Sequence, residues 1–64
     1  MIIRKAKYLV RGMHLVHKGK KWTIHSIKEQ SEGMITLYSQ KGPKDVENIH
    51  LYPDDFVELW ISED

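Results

Sequence analysis

The chain contains no cysteine among its 64 residues, so disulfide bonds and cysteine-based zinc sites are both excluded. A domain of this size buries only about 60% of the surface that its unfolded chain exposes, and many small domains rely on such links. One thin apolar core, or association between copies, must therefore supply the stability. The length fits one domain, which we expect to extend over residues 1–64 with residues 1–11 as an N-terminal arm.

Long apolar runs are also missing from the sequence. No stretch approaches the ~20 apolar residues that are needed to span a bilayer. The apolar run at the start of the chain is too short for a secretory signal. We therefore expect a cytoplasmic protein with no membrane partner, and the absence of cysteine agrees with a reducing compartment.

Patterns that carry chemistry are scarce. The four glycines are scattered through predicted turns and form no phosphate-binding loop. No nucleophile stands at an informative spacing from a base, and the adjacent acids Asp54 and Asp55 are expected where a helical turn begins. No carboxylate spacing completes a zinc or iron site with the four histidines. The sequence therefore predicts no catalytic residues, no metal site and no cofactor.

The charges are distributed unevenly between the two halves of the chain. Residues 1–30 carry eight basic side chains and one acidic one, whereas residues 31–64 carry two basic and eight acidic ones. The formal charges of the halves are therefore +7 and −6. Such an asymmetry is typical of a surface for nucleic acid or for an acidic partner. The alternative is that the two halves lie against each other in the fold and cancel.

Alternating apolar residues between turn residues predict five short strands. The spacing slips between Ile24 and Ile27, which predicts a bulge or bend near His25-Ser26, where a strand passes from one sheet into another. The stretch Tyr52–Phe56 has a proline early and acids after it, which predicts a single 3-10 turn before the last strand. The predicted strands are Met13–His17, Trp22–Lys28, Met34–Ser39, Val46–Leu51 and Val57–Ile61.

The stretches Gly12–Val16, Gly19–Ile24 and Tyr52–Leu59 follow one another in an order that resembles the SH3-like barrels of the KOW and Tudor types. The resemblance covers roughly residues 10–61 and lies in the rhythm of strands and turns. The predicted fold class is therefore all-β, a small five-stranded SH3-like barrel with a one-turn 3-10 helix before the last strand. This fold hosts many functions, so the function must be read from a site.

Basic residues cluster around the first predicted hairpin, with Lys18–Lys21 at its tip and Arg11 at its foot. Lysines clustered on a loop are typical of phosphate contacts in nucleic-acid binding. Trp22 follows the cluster, Tyr38 is predicted to face outward, and both rings could stack on unpaired bases. The alternative is a solvated turn beside a core tryptophan. The predicted set for binding nucleic acid or a partner is Arg11, Lys18, Lys20, Lys21, Trp22 and Tyr38.

A second hypothesis is a regulatory adaptor that binds another protein, as small phage, plasmid or bacterial accessory proteins often do. Trp60 alternates with Leu59 and Ile61, so it is predicted to face outward. With Tyr38, or with an exposed strand edge, it would form a contact surface for a partner. The alternative for Trp60 is that it covers the end of the barrel against the N-terminal arm.

A third hypothesis comes from Ile49–Pro53, which resembles the Val-Gln-Ile-Tyr-Pro stretch of the plasmid-borne type II dihydrofolate reductases. In that family four small barrels enclose one pore. The resemblance implies that His50, Leu51 and Tyr52 would line such a pore and hold folate and NADPH. This chain departs from the family at His50, where the family has a glutamine that contacts both ligands. The oligomeric state is left open by the sequence.

Overall fold

The computed structural model describes residues 1–61, apart from the side chains of Ser31 and Lys41. Residues 62–64 of the domain expected over 1–64 lie outside this range. The described chain contains seven strands and two 3-10 helices, Ala6–Tyr8 and Ser31–Gly33, and neither helix could cross a membrane. The strands are β1 (Ile2–Lys5), β2 (His14–His17), β3 (Lys20–Thr23), β4 (Ser26–Glu29), β5 (Ile35–Gly42), β6 (Asp45–Leu51) and β7 (Phe56–Leu59).

The strands form two antiparallel sheets, with the orders β1-β7-β2-β3 and β4-β5-β6. The all-β class is confirmed, but the prediction of five strands is wrong. Strand pairing within residues 1–61 gives two open sheets and does not close them into a barrel. One additional strand is β1, which pairs with β7 and lies in the segment that was expected to be an N-terminal arm. The other arises because the segment predicted as one strand from Trp22 to Lys28 is divided into β3 and β4.

The division between β3 and β4 is the point at which the chain changes sheets. The Ile24 N–H donates to the Met13 carbonyl (2.9 Å), on the side of the first sheet. The next residue, His25, donates its N–H to the Tyr38 carbonyl (2.7 Å) in the second sheet. Adjacent residues therefore bond to different sheets. This explains why the apolar spacing slips here, close to the bend that was predicted at His25-Ser26.

The segment before β7 is a reverse turn, and the 3-10 helix predicted there is wrong. The Asp55 N–H donates to the Tyr52 carbonyl (3.0 Å), and the Tyr52 N–H donates to the Asp55 carboxylate (2.8 Å). An early proline and following acids fit such a turn as well as a helix start, so composition could not separate them. The first 3-10 helix is held against the turn, because Ala6 and Lys7 donate their N–H groups to the Asp55 and Pro53 carbonyls.

The core is built from side chains of both sheets and of the turns between them. Leu15 and Trp22 come from the first sheet, Ile35 and Leu37 from the second, and Ile24 from the segment that joins them. Leu37 is fully buried, and burying such a side chain stabilises the fold by about 1.5–3 kcal/mol. Eight buried apolar residues form this cluster: Ala6, Leu9, Leu15, Trp22, Ile24, Ile35, Leu37 and Val57.

Candidate functional site

The β2–β3 hairpin ends in a two-residue loop. His17 pairs with Lys20, which leaves Lys18 and Gly19 between the strands. Both loop residues have positive φ, 54° at Lys18 and 75° at Gly19, as a type I′ turn requires. Glycine adopts this conformation without a steric penalty, whereas lysine rarely does. Because β3 is an edge strand, the loop lies at the border of its sheet.

A groove lies between this loop and β6, and we call it the tip groove. Its volume is about 620 Å³. Lys18, Lys20 and Lys21 are all exposed, and none of them forms an ion pair within the described residues. The groove therefore has one wall of free ammonium groups. Its lining residues are His17, Lys18, Lys20, Lys21 and Trp22 on the hairpin side and Val46, Glu47 and Asn48 on the β6 side.

Trp22 contributes to the groove as a core residue. Its side chain is 2% exposed, and its Nε1 donates to a Glu47 carboxylate oxygen at 3.2 Å. The His17 ring meets it edge to face, with the ring centroids 6.1 Å apart. Trp22 thereby fixes β6 against the hairpin, and its ring has no free face on which a base could stack. Of the two interpretations of Trp22, a stacking ring or a core residue, the structure agrees with the core residue.

Arg11 and Tyr38 lie outside the tip groove. Arg11 lines a separate groove of about 310 Å³ with Thr23, His25 and Gln40. It is at the other end of β2, whose four residues extend about 13 Å. Tyr38 is half-buried on β5 in the second sheet. The structure thus brings the three lysines and Trp22 together and separates them from Arg11.

The β6 wall of the groove was not predicted as part of a site. Val46, Glu47 and Asn48 are distant from the hairpin in sequence, so local spacing gives no sign of the contact. One signal was present. Glu47 has the same strand parity as Ile49 and Leu51, two apolar residues of the predicted strand Val46–Leu51, and a charged residue on an apolar side of a strand needs a polar partner. The Trp22 indole is one such partner.

The basic and acidic halves of the chain meet at the turn before β7. The Lys5 and Lys7 ammonium groups lie 3.5 Å and 3.4 Å from the same Asp54 oxygen. The hydrogen bond and charge of Lys7, and then the charge of Lys5, lower the pKa of Asp54 below its ordinary value of 3.8. These ion pairs neutralise charge on the β1–β7 side of the molecule, away from the tip groove.

Two of the four histidines share hydrogen bonds with threonines on neighbouring strands. The His14 Nδ1 lies 2.8 Å from the Thr23 hydroxyl, and the His50 Nδ1 lies 2.9 Å from the Thr36 hydroxyl. Within residues 1–61, no three side chains of the metal-binding types are close enough to hold a metal ion.

The reductase resemblance would place His50, Leu51 and Tyr52 together in a pore, but in this fold their surroundings differ from one another. His50 is exposed on β6, and Tyr52 is 55% exposed in the turn before β7. Leu51 between them packs against the apolar core. Its side chain therefore contributes to the stability of this fold, whereas the resemblance would place it in a pore.

Exposed apolar side chains gather on the outer side of β1 and β7, and we call this area the apolar face. Ile3, Phe56 and Trp60 are 54%, 70% and 38% exposed, with Met1 and Ile61 at one end. Ile3, Phe56 and Trp60 have the parity opposite to that of Val57, which is buried in the core. Trp60 extends the first sheet by donating its N–H to the His14 carbonyl (3.0 Å), so it shares no surface with Tyr38 of the second sheet.

No model of a known protein family, no curated protein and no solved structure matches this chain significantly. The resemblances to SH3-like barrels and to type II reductases therefore remain predictions. The function has to be argued from the chemistry of the grooves and faces themselves.

Proposed function

We propose that this protein is a non-catalytic binding module that contacts nucleic acid through the tip groove. The observation that carries the proposal is that Lys18 in the loop and Lys20 and Lys21 at the start of the edge strand β3 are exposed and line one groove. Lysines placed in this way bind phosphate groups and release the counterions that surround a nucleic acid. The two ion pairs at Asp54 lie outside the groove lining, so they do not neutralise the positive charge at the tip.

The proposal includes the SH3-like architecture and a cytoplasmic location. Two features support the architecture: β3 and β4 are consecutive halves of one bent segment, and β7 returns to pair with β2. We infer that the two sheets are the halves of such a barrel, with β1 added at the β7 edge. Trp22 serves this arrangement by holding β6 beside the lysine loop.

The test is a salt-titrated binding assay with fluorescently labelled DNA and RNA. Each phosphate contact changes the slope of log K against log salt by about 0.7–0.9. We expect Lys20→Glu combined with Lys21→Glu to weaken binding and to flatten this slope by about 1.4–1.8, because two phosphate contacts are lost. The matched control is the charge reversal Arg4→Glu on β1, at the opposite edge of the sheet from β3, which should change little. The absence of binding at low salt would end the proposal.

A second candidate function, a protein-binding adaptor, is favoured by the apolar face. Ile3, Phe56 and Trp60 are large exposed apolar side chains on one side of β1 and β7, around the exposed Glu58, and exposed apolar area of this kind is typical of an interaction surface. The strand β1 also offers an unpaired edge, since it pairs only with β7 among the described strands.

Affinity capture from a nuclease-treated extract would distinguish this candidate from the first. Retention of one stoichiometric protein that is lost with Phe56→Ser, and kept with Lys20→Glu, would support the adaptor. Retention that disappears after nuclease treatment would support the tip groove instead.

A further inference from the structure

The second sheet has one outward face, and Tyr38 lies at its centre. Leu37 is fully buried, so the neighbouring Tyr38 points to the other side of the sheet, where it is half-buried. Ser26 on β4 and Asn48 on β6 are its direct partners across the sheet. Paired side chains of this kind lie about 4.5–5.5 Å apart at their Cβ atoms. The tyrosine is therefore flanked on both sides by small polar groups.

Over the regular pairs, from Glu29–Ile35 to Gln40–Val46, this outward face carries no carboxylate. Glu29 and Glu47 pair with Ile35 and Ser39, and so they belong to the inward parity. The polar side chains of the outward parity, other than the buried Thr36, are Ser26, Lys28, Tyr38, Gln40, Asn48 and His50. A face with an aromatic ring, amide groups, one cation and no acid suits a ligand that has flat bases and negative phosphates.

The face is continuous with the tip groove through Asn48. Asn48 lines the groove opposite the lysines, and it is also the strand partner of Tyr38. Neighbouring strands are about 4.8 Å apart, so the step from the groove to the tyrosine crosses a single strand spacing. A chain whose phosphates lie on Lys20 and Lys21 would reach Tyr38 by crossing the edge strand β6.

His50 lies on the same face with a fixed ring. Its Nδ1 shares a hydrogen bond with the hydroxyl of Thr36, which is fully buried. His50 itself is exposed, so its second ring nitrogen is left for a ligand. Lys28 is on the other side of Thr36, because both Lys28 and His50 pair with that residue. The polar side chains of the outward face therefore continue past Tyr38 to the next row across the sheet, which is formed by Lys28, Thr36 and His50.

We propose that the ligand is single-stranded nucleic acid, which runs from the lysines of the tip groove across Asn48 and stacks one base on Tyr38. The inference rests on the proposed function and names its ligand class. In a duplex the faces of the bases are covered by their neighbours, so only an unpaired base can stack on the tyrosine. Duplex would gain the lysine contacts alone. The protein therefore prefers single strands over duplex of the same sequence.

The experiment compares a labelled single-stranded 12-mer, as DNA and as RNA, with the corresponding duplex in anisotropy titrations at low salt. We expect Tyr38→Ala to weaken single-strand binding by about 5- to 100-fold and to leave duplex binding unchanged. Tyr38→Phe keeps the ring and should bind like the wild type. Tyr52→Ala removes a tyrosine that is 55% exposed outside this face and should have no effect. Circular dichroism checks that each variant is folded.

A second variant keeps the test decisive if Tyr38→Ala does not fold. Lys28→Glu adds a negative charge at an exposed position of the outward face that does not line the tip groove, and we expect it to weaken single-strand binding and to leave duplex binding unchanged. Equal losses for single strand and duplex with Tyr38→Ala would overturn the inference. So would binding that depends on Lys20 and Lys21 but not on Tyr38 or Lys28, a result that would leave the proposed function standing. No binding of any nucleic acid would remove the proposed function as well.

Discussion

At position 18, the side chain that favours stability is not the one that favours nucleic-acid binding. The φ of 54° at Lys18 lies in a region where lysine is strained and asparagine is favoured, because Asn-Gly is a preferred type I′ loop. We expect Lys18→Asn to raise the free energy of unfolding by about 0.5–1 kcal/mol, part of the ~1–2 kcal/mol that the left-handed conformation costs. The same change should weaken nucleic-acid binding, since one phosphate contact is lost. Urea unfolding and a salt-titrated binding assay measure the two effects.

The control for Lys18 is the neighbouring glycine. Gly19→Ala keeps every charge but places a Cβ at a φ of 75°, so it should destabilise the fold without changing the salt slope of binding. A less stable Lys18→Asn variant would contradict the type I′ loop.

The two tryptophans differ in burial, so they should differ in their effect on stability. Trp22 is 2% exposed and Trp60 is 38% exposed. We expect Trp22→Ala to cost about 3–5 kcal/mol, because it leaves a cavity in the core and removes a partner of Glu47. Trp60→Ala should cost less than 1 kcal/mol, as is usual on a surface (about 0.5 kcal/mol). Trp22→Phe should fall between them in urea denaturation, and equal costs for the two alanine variants would contradict the core role of Trp22.

The contact between the N-terminal segment and the turn before β7 should depend on pH, because it includes the ion pairs of Asp54 with Lys5 and Lys7. The pKa of Asp54 is lowered in the folded chain, so its stabilising effect is present above pH 3.8 and is lost as the pH falls through the folded value. We expect Asp54→Asn to lower the urea midpoint slightly at pH 7 and to match the wild type near pH 2 (about one to two units below the ordinary pKa). High salt should narrow the difference, because Asp54 is exposed.

The matched control for Asp54 is Asp45→Asn, a change of the same chemistry at an exposed position on β6. It should leave the difference between pH 7 and low pH unaltered. A pH dependence that is the same in the wild type and in Asp54→Asn would show that Lys5 and Lys7 do not stabilise the fold through this carboxylate.

Local patterns predicted the hairpin and the bend, and they failed where a distant strand decides the outcome. The loop at Lys18-Gly19 was predictable, because a glycine between two apolar alternations specifies a turn. The role of β1 was not, since its partner β7 is more than fifty positions away. In the same way, the lysine wall of the groove follows from sequence, whereas Asn48 joins it only because the second sheet folds back beside the hairpin.

At the scale of the whole molecule, the two candidate surfaces occupy different places. The tip groove joins the edge strand β3 to β6, whereas the apolar face lies on β1 and β7 at the opposite end of the first sheet. The ion pairs of Asp54 lie on the β1 side and leave the lysine loop positive.

The reductase hypothesis would need four copies of the chain around a pore. A tetramer in light scattering, together with binding of NADPH, would favour that hypothesis over both surfaces.

Because the surfaces are separate, their functions should be separable by mutation. We expect Lys20→Glu with Lys21→Glu to reduce nucleic-acid binding and to leave any association of the apolar face intact. Phe56→Ser with Trp60→Ser should do the reverse, since neither side chain lines the tip groove and β2 lies between β7 and β3. The measurements are anisotropy with labelled oligonucleotide and sedimentation velocity for protein association, made on all four combinations of the two pairs. Additive effects in the quadruple variant would agree with two independent surfaces. If the apolar pair abolished nucleic-acid binding in a folded protein, the ligand would have to extend over the first sheet, and the path across Asn48 to Tyr38 would be the wrong one.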